Sequence, residues 1–285
     1  MQKIIIIGGD SYIATGLDQK LSHMKVIHLF YHNWKENLNA LKDADWIVNF
    51  SIDPCFSTGN MELKDILDIQ VADAIKNYDV RYMFMSSRKV YGACDICKEY
   101  SEEDALFGVD YYAKNKIKTE QALRQILGDK LAIVRISNII GEPVMRAGYK
   151  TFIGWICENY LTKGELTVNQ NSNSIKDFIT KDFLHDSIVS LISKNVTGIV
   201  NVSSGFGTPV KDVLKGYVGE ANIRFSGENS QCTDQFILNN TKLKNISNMS
   251  ITRENLLQYL MKCHEQLVLM KKAPFDRQRI QNSRE

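Results

Sequence analysis

The chain has 285 residues, 44% of them hydrophobic and 24% charged, which is the composition of a soluble globular protein with one large α/β unit or one unit plus a smaller lobe. Its formal net charge is only +2, so nothing electrostatic points to nucleic acid or an anionic membrane as the main partner. No stretch approaches the roughly 18 uncharged apolar residues of a membrane-spanning helix.

The N-terminus, MQKIIIIGGDSYI, has an apolar run of only Ile4 to Ile7, followed by two glycines and an aspartate. That is too short for a signal peptide and reads as a buried first strand over Lys3–Ile7. Without a signal, the expected compartment is the cytoplasm. A helix is predicted over Ile13–Leu21, a second strand over Lys25–Tyr31, a short helix over Leu38–Lys42 and a third strand over Asp45–Phe50. Helical periodicity then covers Asp65–Tyr78. A fourth strand follows over Tyr82–Ser86, a long helix over Asp110–Gly128 and a fifth strand over Leu131–Ile136. Strands alternating with helices imply parallel βαβ units, so the expected fold class is α/β with a Rossmann-like, doubly wound parallel sheet. The strands are continuous apolar runs, as expected when helices cover both faces.

After Gly141 the pattern loosens. Phe152–Leu161 and Asp182–Ser193 read as helices, Lys176–Thr180 and Gly198–Val202 as extended, and Arg253–Met270 as a closing helix. The expected division is 1–150 for the dinucleotide-binding part and 151–270 for a smaller substrate-binding lobe, partly returning to the core. A polar, basic tail over 271–285 is expected to be mobile. There are no repeats and no low-complexity segments. Of the six cysteines, Cys94 and Cys97 have CxxC spacing but no second ligand pair, so reduced thiols and no metal site are expected.

Three segments carry chemistry. The first strand runs into Gly8-Gly9-Asp10-Ser11-Tyr12-Ile13-Ala14. Small residues at 8, 11 and 14 allow a tight turn whose N–H groups approach a pyrophosphate at a helix N-terminus. Ser11 can add its hydroxyl. The same pattern would also serve a turn that binds nothing. The residue that reads the adenosine ribose stands at the end of the second strand. In Leu29-Phe30-Tyr31-His32-Asn33-Trp34-Lys35 there is no carboxylate before Glu36, while His32 and Lys35 can meet a 2′-phosphate. The expected cofactor is therefore NADP(H), with NAD(H) as the alternative.

Tyr112 and Lys116 sit at i and i+4, on one face of the long helix. A cation beside a phenol favours phenolate, so Lys116 is expected to draw the Tyr112 pKa toward neutrality and fit it for proton exchange. Ser87 lies in Met85-Ser86-Ser87-Arg88-Lys89-Val90-Tyr91-Gly92, after the fourth strand, where doubly wound sheets place ligands. An isolated Ser-Ser pair would equally serve as a helix cap.

Together Gly8–Ala14, Asp45–Ser51, Ser86–Gly92 and Tyr112–Lys116 resemble the extended short-chain dehydrogenase/reductase family, of the NAD-dependent epimerase/dehydratase type that modifies nucleotide sugars. Arg135–Pro143 is similar to that family's RxxNxxGP segment, Lys176–Ile179 to its RDFI and Asn201–Gly205 to its NVGSG. The resemblance spans roughly residues 1 to 265. It implies a catalytic set of Ser87, Tyr112 and Lys116. It implies dinucleotide contacts from Gly8, Asp10, Ser11, Tyr12 and Ile13, from Phe50 and Ser51, and from Tyr112 and Lys116. Substrate contacts are implied for Ser87, Arg88, Tyr112, Asn138 and Lys176. Lys176 stands where the family usually has arginine, keeping the charge but losing the bidentate fork. Asp182 matches a family aspartate and reads best as a helix N-cap. Dehydratases of the family carry an Asp-Glu pair after the catalytic Ser or Thr; here Arg88 and Lys89 stand there, which argues against elimination. The resulting expectation is an NDP-4-keto-6-deoxyhexose 4-ketoreductase in carbohydrate biosynthesis. The alternatives are a nucleotide-sugar epimerase and a silent dinucleotide-binding scaffold or sensor. By the same resemblance, Asp65–Tyr78 and Asp110–Gly128 pair with their copies in a homodimer.

Overall fold

The computed structural model describes residues 1–92, 98–144, 152–169, 171–219, 222–226 and 235–272. The Cys94/Cys97 pair and nearly all of the 271–285 tail lie outside the described residues. The strands β1 (Lys3–Ile7), β2 (Lys25–Leu29), β3 (Trp46–Asn49) and β4 (Arg81–Ser87) alternate with the helices α1 (Leu17–Lys20), α2 (Leu38–Lys42) and α3 (Leu67–Ile75). After β5 (Lys98–Tyr100) come α4 (Tyr111–Leu127), β6 (Leu131–Ile136) and β7 (Asn138–Ile140). The remainder is α5 (Phe152–Lys163), β8 (Glu165–Val168), β9 (Ile175–Lys176), β10 (Phe178–Thr180), α6 (Lys181–Ser193) and β11 (Gly198–Val202). Last come β12 (Thr208–Pro209), α7 (Val210–Val218), β13 (Asn222–Phe225), β14 (Gln235–Leu238), α8 (Thr241–Ser247) and α9 (Arg253–Lys272).

Six strands form one parallel sheet in the order β11-β6-β4-β3-β1-β2. The apolar runs explain why it is covered on both sides. Ile4, Ile6, Trp46, Val48, Met83 and Val134 point to one face and pack with Leu17 of α1, Leu184 and Ile188 of α6, and Leu243 of α8. Ile5, Ile7, Ile47, Tyr82, Phe84 and Ile133 point to the other, against Leu41 of α2, Val71 of α3 and Leu123 of α4. A period of two along each strand thus feeds two cores at once. The expected α/β fold with a doubly wound sheet is what the chain adopts. Among the described residues no helix is long and apolar enough to cross a membrane.

The chain does not respect a simple cut near residue 150. β5, from the first half, pairs with β14 in the small sheet β12-β9-β14-β5, while α6 and β11, from the second half, complete the main sheet and its covering. A separate apolar cluster joins α5, α7 and α9 through Ile156, Leu214 and Leu260.

The helix predicted over Ile13–Leu21 is the main local difference. Residues 8–17 instead descend through successive turns, Ser11 N–H to Gly8 O and Ala14 N–H to Ser11 O at 3.0 Å each, and Leu17 N–H to Ala14 O at 3.0 Å. Gly16 then adopts φ +95°, the left-handed region, and only the four residues of α1 are helical. At α6 the N-cap is Thr180, whose side chain accepts from Phe183 N–H at 3.1 Å. Asp182 is a first-turn residue, not the cap expected from the sequence.

Candidate active site

The chain changes direction in the sheet between β1 and β3, and a cavity of about 230 Å³ opens beyond the carboxyl ends of the strands there. Phe50 and Ser51 reach it from the end of β3, Ser86 and Ser87 from β4, and Ser137 and Asn138 from beyond β6. Tyr12 and Ile13 enter from the turn after β1, and Tyr112 and Lys116 from α4.

Local sequence sets α4 in place. Asp110 caps it, its carboxylate accepting from Ala113 N–H at 2.8 Å, and Gly128 ends it at φ +56°. Lys89 Nζ lies 2.7 Å from the Asp110 carboxylate, joining the segment after β4 to the start of α4. Ser87, in extended backbone, caps a short 3-10 turn over Arg88–Tyr91, with its Oγ accepting from Lys89 N–H at 3.3 Å. Ser87 thus caps the turn and also lines the cavity.

Burial pushes the pKa of the Tyr112 phenol up to about 12, and the Ser87 side chain, which lines the same cavity, acts in the lowering direction. This reverses the expectation that Lys116 draws it toward neutrality. The ammonium of Lys116 is turned away, donating to the Met85 carbonyl at 2.7 Å, and lies 5.7 Å from the centroid of the Tyr112 ring rather than against its oxygen. Burial lowers the Lys116 pKa, and the charges of Asp68, Glu120 and Asp53 oppose that shift.

The turn after β1 fits a dinucleotide on two observations. Ser11 Oγ is buried with no hydrogen-bond partner, and Gly8, at φ +74°, lies so close to Ser51 that a Cβ there would collide with it. An unengaged hydroxyl able to donate, and a turn too tight for any residue but glycine, suit the accepting oxygens of a pyrophosphate. The helix-dipole part of the sequence argument fails, because α1 is a single turn. Asp10 is exposed in the same turn. Tyr12 is buried and donates to Glu142 O at 3.0 Å, so it braces the Gly141–Glu142 segment as well as lining the cavity.

At the end of β2, His32 and Lys35 are exposed and outside the cavity lining. His32 stacks on Phe30 at 5.8 Å, and the Lys35 ammonium stands 5.5 Å over the Trp34 ring. A carboxylate is nearby after all, from the loop after β3: Asp53 accepts from Tyr31 OH at 2.8 Å through Oδ1 and from Leu67 N–H at 3.2 Å through Oδ2.

Of the expected substrate contacts, Ser87, Tyr112 and Asn138 come together in the cavity, and Arg88 adjoins it, its Nε donating to Asn138 Oδ1 at 3.0 Å. The Arg88 guanidinium also covers the Phe236 ring at 5.0 Å. Lys176 is not among the residues that line this cavity. It is a buried residue of β9, in register with Phe236 and Thr208 of the small sheet. Sequence reasoning missed Ser137 and Asp68. Ser137 Oγ is buried without a partner and its residue lines the cavity. Its only sequence signal is a polar residue at the end of an apolar strand. Asp68 stands in the first turn of α3, and nothing in the local pattern marks it. Among the described residues no group of three or more His, Cys, Asp or Glu could hold a metal.

Residues 18–203 match the model of the NAD dependent epimerase/dehydratase family. No curated protein sequence matches the chain. Among solved structures it is similar to a UDP-N-acetylglucosamine 4-epimerase from Methanobrevibacter ruminantium in complex with UDP-N-acetylmuramic acid, at 14% identity and a TM-score of 0.77, covering 94% of this chain and 99% of that one. It is also similar to RMD from Pseudomonas aeruginosa complexed with NADPH, at 15% identity and a TM-score of 0.71, covering 93% and 99%. A third likeness is to TunA, an NAD dependent NDP-hexosamine 5,6-dehydratase involved in tunicamycin biosynthesis, at 18% identity, a TM-score of 0.74 and coverage of 93% and 98%. At these identities the likeness is one of fold.

Proposed function

Since the chain belongs to the NAD dependent epimerase/dehydratase family, we propose that it is a nucleotide-sugar 4-ketoreductase acting on an NDP-4-keto-6-deoxyhexose. The observation that carries this reading is that Ser87, Tyr112 and Lys116 line one cavity beyond the strand ends; burial keeps the Tyr112 phenol protonated, its pKa pushed up to about 12. A proton donor must arrive protonated, and reduction of a ketone needs a donor. A reduced nicotinamide, when bound, supplies hydride to the keto carbon. Tyr112 gives its proton to the developing alkoxide, and the Ser87 hydroxyl stabilises the same oxygen. Lys116 holds the floor of the site through Met85. Arg88 and Lys89, in place of an acid beside Ser87, are committed to Asn138 and Asp110, which speaks against dehydration.

NADP(H) is the cofactor we favour. No carboxylate is offered from the end of β2, and both oxygens of Asp53 are already engaged by Tyr31 and Leu67. The epimerase with NAD(H) is the second reading; it draws on Asp53 standing at the β2 end, where an exchange of the Tyr31 bond for a ribose would serve NAD. In both readings the parts built on β7, β9 and β10 take the nucleotide diphosphate, and α3 and α4 pair with a second copy. Purified protein mixed with NADPH or NADH and a panel of NDP-4-ketosugars tests the choice. Stoichiometric loss of reduced-cofactor absorbance is the expected result. Interconversion of a 4-hydroxy sugar with no net cofactor use would replace the reductase with the epimerase.

A further inference from the structure

Ser137 is 7% exposed and lines the cavity, and its Oγ has no hydrogen-bond partner among the described residues. A buried hydroxyl that makes no bond destabilises the fold that holds it. The polar side chains around it are engaged. Asn138, next in the chain, holds a bond at each end of its amide: Oδ1 accepts from Arg88 Nε at 3.0 Å, and Nδ2 donates to the Asp177 carbonyl at 2.7 Å. The Ser86 hydroxyl donates to Glu120 at 2.5 Å, and Ser87 Oγ accepts from the Lys89 amide at 3.3 Å. The Ser137 hydroxyl keeps both its proton and its lone pairs uncommitted.

The backbone sets this hydroxyl beside the centre of the proposed reaction. β4 and β6 are parallel partners with Ser87 opposite Ile136, and Ser137 follows Ile136. Adjacent strands lie about 4.8 Å apart. Ser137 therefore stands one strand across from Ser87 and one residue further toward the cavity. Its own N–H is fixed to the Val202 carbonyl at 3.1 Å, while a serine hydroxyl turns among three staggered positions without moving the backbone. The sheet order also says which ligand it meets. Along β6-β4-β3-β1, the residues expected to hold the dinucleotide, Tyr12, Ile13, Phe50 and Ser51, enter from β1 and β3, on the opposite side of Ser87 from Ser137.

We propose that Ser137 is a substrate-contact residue, whose hydroxyl bonds a ring hydroxyl of the nucleotide sugar close to the carbonyl being reduced. A sugar hydroxyl both donates and accepts, as serine does. A sugar lacking that group leaves the serine unpaired in the closed site, so the residue determines specificity as well as affinity. The inference rests on the nucleotide-sugar reading of the cavity but not on the fate of the hydride.

Binding without turnover tests it. UDP-glucose and dTDP-glucose are titrated calorimetrically into the parent and Ser137→Ala, each beside its free nucleoside diphosphate, and NADPH is titrated alone. Ser137→Ala should lose about 2–10-fold in affinity for the nucleotide sugar that the parent prefers, with the free diphosphate and NADPH unchanged. The same variant should raise the urea midpoint, since an unpaired buried hydroxyl is removed. Ser11→Ala, the comparison, should also raise the midpoint but weaken NADPH and spare the sugar. Unchanged sugar affinity in Ser137→Ala overturns the proposal, and so does a loss confined to NADPH, which would make Ser137 a cofactor contact. A variant that fails to fold marks the hydroxyl as structural and overturns it too, as does a parent that holds neither nucleotide sugar more tightly than its diphosphate. None of these readouts consumes cofactor. A chain that oxidises NADPH with a ketosugar yet keeps its sugar affinity in Ser137→Ala loses this proposal alone. One that binds sugar through Ser137 without net oxidation loses the reductase reading alone.

Discussion

Two buried charge centres lie one helical turn apart on α4, and they are built differently. The Glu120–Arg135 centre is closed. Arg135 meets both oxygens of Glu120, and its remaining donors reach Tyr91 OH and the Glu102 carbonyl at 3.0 Å each. Ser86 adds a further bond to Glu120. Both side chains are 3% exposed. The Lys116–Asp68 centre is open: its two charges face one cavity without touching, and each has hydrogen-bonding capacity to spare. A closed centre holds the fold together, because its two charges and most of its donors and acceptors are spent on one another and on their neighbours. An open one keeps charge available to a ligand, at a cost in stability. The same helix therefore serves structure at Glu120 and chemistry at Lys116 and Tyr112.

Substitutions at the two centres should separate along that line. Tyr112→Phe should lower the rate of ketone reduction by about 10²–10⁴-fold, with dinucleotide affinity retained and the urea midpoint unmoved. A silent dinucleotide-binding protein would show no difference between the two forms in any titration. Glu120→Ala should do the opposite, costing about 3–5 kcal/mol in urea unfolding by leaving Arg135 buried and unpaired. If Tyr112→Phe lowered the midpoint as much as Glu120→Ala, the division between the two centres would be wrong.

A third buried ionisable group offers a pH test. His185 donates from Nε2 to Ile13 O at 2.7 Å, tying α6 to the turn after β1, and burial lowers its pKa below the ordinary 6.5. A group with a depressed pKa binds its proton more readily in the unfolded chain. Stability should therefore fall as pH drops through 6.5 toward the folded value. Urea midpoints across that window should show the slope in the parent and lose it in His185→Gln. The smallest effects are expected at the start of α6. Thr180→Ala should cost about 1 kcal/mol as loss of a cap. Asp182→Asn should cost about 0.3–1 kcal/mol, through the helix dipole alone.

The main-sheet strands were legible in the sequence because continuous apolar runs such as Ile4–Ile7 and Trp46–Val48 leave no other way to bury both faces. α4 was legible because Asp110 and Gly128 punctuate a clear helical period. The turn after β1 was not. Its apolar spacing at Ile13, Leu17 and Leu21 fits a helix, and only the left-handed Gly16 and the packing of Tyr12 against Gly141 bend it into turns. Ser87, Tyr112 and Asn138 could be singled out from motif order, and the fold gathers them. Lys176 was read by the same means and does not line this cavity; its two-residue strand is set by pairing with β12 and β14, partners that no local pattern announces.

By itself, then, the sequence of Tyr112 and Lys116 determined that a phenol and an amine share one face of a helix at the carboxyl edge of a parallel sheet. Their protonation was decided by the tertiary structure. Burial holds the Tyr112 phenol protonated, and the Met85 carbonyl claims the amine that spacing alone would have aimed at the tyrosine. Burial lowers the Lys116 pKa, and the acids that oppose it, Asp68, Glu120 and Asp53, come from three different parts of the chain. Spacing along a helix fixes direction, but a proton's affinity depends on every dipole and charge within several ångströms, and those arrive from β3, β4 and α3 only when the chain has folded.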